Sequence, residues 1–259
     1  MTIMKLRLGV RGMMWLTLVI MMWGIISCRT QEEKRLEEVL SLPLANKEEL
    51  QKVLDHYKDD SLKYQAVCFL IRNMPFHAGY EGNALKHYYQ YFDIYAQGKL
   101  GPHEVIDSLK ENSFSVSQLK RIEDIANIDS SLLVQNVDWA FKVWREQPWG
   151  KNVSFDNFCE FVLPYRLGDE PLGFWREDIY KRYNPILDSI RLLPQAQDPL
   201  VAAKVLMDSL VVEQSHFTGL FPAGPHLGPS VVSWRAGSCR EFADLVVYCL
   251  LYTSDAADE

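Results

Sequence analysis

The chain has 259 residues, of which 48% are apolar, and its 27 basic and 34 acidic side chains give a net charge of −7. This length and apolar content are enough for a buried core, which excludes a wholly disordered chain. The acidic balance argues against a nucleic-acid partner, because proteins that bind phosphate backbones normally carry a basic excess. No repeat of a fixed period is visible, which argues against a regular repeat fold.

The first 27 residues are typical of a bacterial export signal. Lys5, Arg7 and Arg11 form a positive start, and residues 12–26 form an apolar run. That run is short for a membrane span, which needs about 20 residues. The small residues before Cys28 resemble a lipoprotein signal, in which this cysteine becomes the lipidated start of the mature chain. We therefore expect a lipid anchor at Cys28 and a location in the cell envelope, on the outer membrane or the periplasmic face. A retained membrane anchor with an incidental cysteine is the alternative.

Residues 249–259 raise a separate question. Their sequence resembles one reading frame of a transposase adapter used in shotgun sequencing. An apolar helical pattern also runs into Thr253 and Ser254 without a Gly or Asn to end the helix. We therefore expect the native sequence to be interrupted near Tyr248, and a genuine polar tail is the alternative.

Apolar residues recur at spacings of three and four along the chain, which predicts a mainly α fold. Asn46 and Glu49 stand three apart, as in a capping box at a helix start. The turn Pro148-Trp149-Gly150 is the best candidate boundary, so that a helical region spans 28–150 and a second domain spans 151–248. Helices are expected within residues 31–75, 83–96, 104–147, 175–191 and 199–210.

The cysteines indicate two buried thiols and no zinc ribbon. Cys68 and Cys159 lie among apolar residues and are expected in the core. No CxxC pair is present, and His216 and His226 together with Cys239 match no zinc signature. We therefore expect no metal.

The chemistry is expected at Cys239. Ser238 and Glu241 stand three apart just before an apolar helical run, which is the capping-box pattern, and Gly237 allows a sharp turn before them. This spacing predicts that Cys239 is the first residue of a helix. Unpaired amides and the positive end of the helix dipole favour a thiolate there, and a thiolate is the form that attacks carbonyl carbon.

The stretch from Gly237 to Ala243 resembles the nucleophile motif of the transglutaminase-like superfamily. That superfamily includes transglutaminases, peptide N-glycanases and bacterial papain-like proteases. The upstream stretch 163–176 is similar to the region that precedes this core in lipoproteins of the Bacteroidetes type. The motif covers about a dozen residues, and the upstream similarity is looser.

The resemblance implies a parent protein with a helical N-terminal region and an α+β transglutaminase-like, papain-like core. It implies that Cys239 is the nucleophile for hydrolysis or transamidation of amide bonds through a thioester, with a peptide or glycopeptide substrate and no cofactor. It also implies a His and then an Asp on strands that follow the cysteine. No His follows Cys239 in this sequence, so the chain itself is expected to be inactive.

Other interpretations stay open. His216 and His226 lie in the Gly- and Pro-rich stretch before Cys239 and are expected to be loop histidines without a catalytic role. Trp234 is a candidate to line a substrate channel, or else it packs against the helix. A non-catalytic envelope lipoprotein that binds a glycan or a protein is the main alternative function. A redox thiol is disfavoured because no second cysteine stands near Cys239.

Overall fold

The computed structural model describes residues 31–101, 103–105, 107, 116–212, 216–217, 224–229 and 236–253. It is 66% helix and 4% strand, which confirms the mainly α prediction. The chain divides into two compact units, residues 1–45 and 46–259. In the described part of the first unit, residues 31–40 form helix α1. Over the described ranges, no helix combines the length and the apolar character needed to span a membrane.

The second unit begins with helices α2 (Lys47–His56) and α3 (Ser61–Asn73), both of which contact a longer helix, α6 (Ser130–Glu146). Asp60 starts α3 by accepting a hydrogen bond from the Lys63 amide. The capping box predicted at Asn46 is wrong. The Glu49 carboxylate accepts instead from the amide of Ser130, across the interface with α6.

A pair of short strands interrupts the helices. Strand β1 (Ala78–Glu81) pairs antiparallel with β2 (Lys120–Glu123), and Glu81 lies opposite Lys120. The sequence predicts helices in the stretch 104–147 with breaks near residues 112–113 and 127–129, and that prediction is wrong at residues 120–123. The alternating pattern of this stretch is too short to distinguish from a helix, and its strand partner lies about 40 residues earlier.

Helix α4 (Asn83–Ala96) follows β1, and α5 (Asp124–Asn127) follows β2. After α6, the short helix α7 (Phe155–Asn157) continues into a five-residue π-helix at Phe158–Val162. The ring of Phe158 stacks on Trp144 at 4.4 Å between centroids and closes the core between these elements. Trp149 and Gly150 are buried inside the second unit, so the boundary predicted after Gly150 lies within that unit.

The C-terminal part places the candidate site. An irregular stretch from 163 leads into helix α8 (Arg176–Leu187), and α9 (Pro199–Val212) follows. Two-residue strands β3 (His216–Phe217) and β4 (Ala236–Gly237) pair in parallel. Helix α10 (Cys239–Thr253) starts one residue after β4 and packs against α8 and α9. Its buried residues Leu245, Tyr248 and Cys249 belong to the hydrophobic core.

Candidate active site

Helix α10 begins at Cys239, as the sequence predicts. The backbone amide of Ser238 donates to Glu241 Oε2 at 2.8 Å, and the Ser238 hydroxyl donates to the same oxygen at 2.5 Å. This is the half of the capping box in which the glutamate reaches back. In a full capping box the serine oxygen accepts from the amide of Glu241, whereas here it accepts from the amide of Arg240 at 3.3 Å. The local sequence thus fixes the helix start at the cysteine.

Cys239 differs from the other cysteines of the described part of the chain in being exposed. Cys68 and Cys159 are buried, which confirms the two predicted core thiols, and Cys249 is buried as well. Burial raises the pKa of Cys159 to about 12, so that thiol stays protonated near neutrality. Exposure and position together make Cys239 the thiol best suited to react with a substrate.

Glu241 is a buried carboxylate that serves the helix start. Burial alone would raise its pKa, but hydrogen bonds from Ser238 and from Arg240 outweigh burial and lower it. Arg240 Nε donates to Glu241 Oε1 at 2.8 Å. Glu241 therefore stays ionised and bound, and it does not act as a free base beside the thiol.

His226 forms a hydrogen-bonded pair with Asp244. Its Nδ1 lies 2.8 Å from Asp244 Oδ2, in the second turn of α10. The sequence offers no local signal for this pair, because the two residues are 18 positions apart. Helical geometry places Cys239 and Asp244 about 140° apart around the axis. Among the described residues no hydrogen bond joins Cys239 to either member of the pair, so the three side chains do not form a triad.

The stretch from Tyr165 to Glu170, which carries part of the family resemblance, is hydrogen-bonded to α10. The Tyr248 hydroxyl donates to Glu170 Oε1 at 2.8 Å, and the amides of Leu167 and Gly168 also donate to the Glu170 carboxylate. Arg166 Nε lies 2.9 Å from Asp124 Oδ2, and both side chains are 2% exposed. A buried ionic network therefore links this loop to α5 and α10.

Asp124 is the acidic centre of that network. Burial raises the pKa of Asp124 to about 6, although Arg166 and the Tyr165 hydroxyl favour its ionised form. The sequence gives no local signal for the pair, since Asp124 and Arg166 lie in separate elements. We infer a structural role for the network, because the side chains of Asp124, Tyr165, Arg166, Glu170 and Tyr248 are all buried.

The remaining predicted residues are only partly described. Trp234 and Cys28 lie outside the described residues. The backbone of His216 is described, and it pairs with Ala236 in the β3–β4 bridge, two residues before Ser238. This bridge brings the chain that follows α9 alongside the chain that enters α10.

Searches with protein-family models, curated protein sequences and solved structures return no match for this chain.

Proposed function

We propose that this chain carries the nucleophile of a cysteine-dependent acyl-transfer enzyme of the transglutaminase-like class. Its substrate would be an amide bond in a peptide or glycopeptide, and a lipid on Cys28 would hold the protein at a membrane surface. One observation carries the proposal: Cys239 is exposed at the first residue of a 15-residue helix whose start is fixed by Ser238 and Glu241. The motif resemblance adds the reaction class.

The reaction requires a sulfur–carbon bond to form and a carbon–nitrogen bond to break. The Cys239 thiolate attacks the amide carbonyl carbon, and the carbonyl oxygen becomes an oxyanion. Backbone amides at the start of α10 are donors suited to that oxyanion. The intermediate collapses to a thioester as the amine leaves with a proton from a general acid. Water or a second amine then attacks the thioester, which gives hydrolysis or transamidation and regenerates the thiol.

No described residue that hydrogen-bonds to Cys239 can serve as its general acid or base. The family motif implies a His and an Asp that follow the cysteine, and no His follows Cys239 here. His226 has its Nδ1 bonded to Asp244 and makes no described bond to Cys239. We therefore expect no turnover by this chain alone, although the thiol itself should be reactive.

An apolar cleft along the same helix suits a peptide side chain. Phe76, Phe161 and Val247 line this cavity of about 510 Å³, and their side chains are 80%, 38% and 37% exposed. Val247 lies eight residues after Cys239, or about 12 Å along a helix axis. Apolar clefts of this size with a few polar groups are typical of binding sites for small ligands and side chains.

The reactivity of Cys239 tests the nucleophile directly. The purified chain is treated with iodoacetamide near neutral pH, and alkylation of each cysteine is followed by peptide mass spectrometry. We expect Cys239 to be alkylated about as fast in the folded chain as in urea, because it is exposed at the first residue of α10. The buried Cys68 and Cys159 are internal controls and should react only in urea. Protection of Cys239 in the folded chain would contradict the proposal.

The 3′ end of the gene tests the enzymatic claim. A His and then an Asp encoded within the next several tens of residues would complete the family's catalytic set. If the intact gene encodes neither, the enzymatic proposal fails, and the non-catalytic binding lipoprotein becomes the better account. That alternative also predicts that Cys239→Ala leaves cellular function intact.

A further inference from the structure

Residues 224–229, here called the 224–229 segment, are attached to α10 by two of its side chains. Arg240 Nη1 donates to the carbonyl of Gly224 at 2.6 Å, and Nη2 donates to the carbonyl of Pro225 at 3.2 Å. One turn later, Asp244 Oδ2 lies 2.8 Å from His226 Nδ1. Both attachments fall within the first two turns of α10, which starts at Cys239.

The opposite side of the 224–229 segment is held by the loop that contains Gly168 and Asp169. The backbone amide of His226 donates to Asp169 Oδ1 at 2.8 Å. Gly168 has no room for a side chain, because a Cβ there would lie 2.7 Å from Cδ2 of the His226 ring. The imidazole therefore sits in a slot between Gly168 and Asp244.

The charges around His226 favour its protonated form. Among the described residues, Asp244 and Arg240 face it from α10 and Asp169 faces it from the loop. The hydrogen bond to Asp244 raises the pKa of His226, while partial burial and Arg240 oppose the increase. Because the pKa of His226 is raised in the folded state, the pair makes its full contribution to stability at pH values below the ordinary histidine pKa. That contribution is lost as pH rises through the raised value.

We propose that His226 and Asp244 form a pH-dependent attachment that positions the 224–229 segment against the start of α10. When His226 is protonated, the ion pair and the Arg240 contacts hold the segment on α10, while Asp169 holds its opposite side. When His226 loses its proton, the charge-assisted hydrogen bond weakens and the segment opens more often. Since α10 carries Cys239, opening changes access to the thiol; this last step rests on the proposed function.

Histidine NMR of the full chain measures the attachment. The His226 resonance is assigned with His226→Gln and titrated, and amide hydrogen exchange of residues 226–228 is followed over the same pH range after correction for intrinsic exchange. We expect His226 to titrate above the ordinary histidine value, and exchange to become several-fold faster as it loses its proton. His56 is an exposed histidine on α2, so His56→Gln is the matched control and should leave the transition unchanged.

Asp244→Asn provides a second variant that keeps the size of the side chain and its ability to hydrogen-bond. It should lower the pKa of His226 and remove the pH-dependent step in exchange. The proposal is overturned if wild-type His226 titrates at or below the ordinary value, or if the exchange step persists in Asp244→Asn. Cys239 alkylation in the same samples separates the claims. A step in exchange with the same alkylation rate in wild type and Asp244→Asn at each pH removes the link to Cys239, whereas failure of the nucleophile proposal appears as protection of Cys239 in the folded chain.

Discussion

A methyl group added at Gly168 should displace the His226 ring. The added Cβ would lie 2.7 Å from Cδ2 and 2.9 Å from Nε2 of the imidazole, closer than real Cβ contacts allow. The ring is also held by a hydrogen bond to Asp244 at 2.8 Å, so it cannot move without weakening that bond. Overpacking of this kind costs about 1–3 kcal/mol, and a hydrogen bond to a charged group contributes about 1.5–3 kcal/mol. The ring can relieve the overlap only by weakening its hydrogen bond to Asp244. We therefore expect Gly168→Ala to lower the free energy of unfolding by about 1–3 kcal/mol.

Gly173→Ala is the matched control, because no atom lies within 4 Å of the Cβ it would add. Neither glycine has a φ in the left-handed region, and the entropy lost by the unfolded chain is the same for both substitutions. Thermal unfolding followed by tryptophan fluorescence should show a Tm lower by about 2–4 °C per kcal/mol for Gly168→Ala only. The His226 resonance should move in that variant alone. Equal stability of the two variants would refute the close packing of His226 on Gly168.

Three further substitutions test the frame around the site. The Arg176 guanidinium is 4% exposed, and burial lowers its pKa to about 9. Arg176→Met leaves two backbone carbonyls without their donor, so urea unfolding should show a free energy of unfolding lower by about 2–4 kcal/mol. An unchanged urea midpoint would contradict this expectation. Gly150→Ala directs a methyl group into the backbone of Trp144. In the same assay its free energy of unfolding should fall by about 1–3 kcal/mol, which is more than for Gly173→Ala, whose methyl group meets no atom within 4 Å. Asp129→Ala removes the side-chain cap of α6 and should lower the free energy of unfolding by about 0.5–2 kcal/mol. Asp59 is exposed, so Asp59→Ala is the control and should change stability little. Similar losses for both variants would show that the cap is not stabilising.

Much of the helical fold could be predicted, because one buried face is encoded within each helix. In α2, the apolar spacing of Leu50, Val53 and Leu54 matches the residues that are buried. The start of α10 could be predicted for the same reason, since Ser238 and Glu241 are local neighbours of the cysteine. A periodic pattern reports which side of a helix is buried, but it does not report what covers that side.

The interactions that could not be predicted connect distant parts of the chain. Glu49 resembled a capping residue, but its carboxylate binds the amide of Ser130, 81 positions later. Strand β2 could not be distinguished from a helix, because its partner is a separate four-residue strand. The pairing of His226 with Asp244 depends on how the 224–229 segment crosses α10, and no spacing rule encodes that crossing. The helix start at Cys239 could therefore be predicted from sequence, while the charged groups around His226 could not.

The loop from Arg166 to Glu170 imposes an order on biosynthesis. Its polar groups take their partners from both directions along the chain: the amide of Tyr80 donates to the carbonyl of Asp169, and the hydroxyl of Tyr248 donates to Glu170. Helices α2 and α3 can pack on each other while the ribosome is still translating, since they are neighbours in sequence. The loop, in contrast, lacks the hydrogen bond from Tyr248 to Glu170 until residue 248 has been synthesised. A nascent chain stalled before that point should be protease-sensitive at this loop, and it should become resistant only after α10 has emerged.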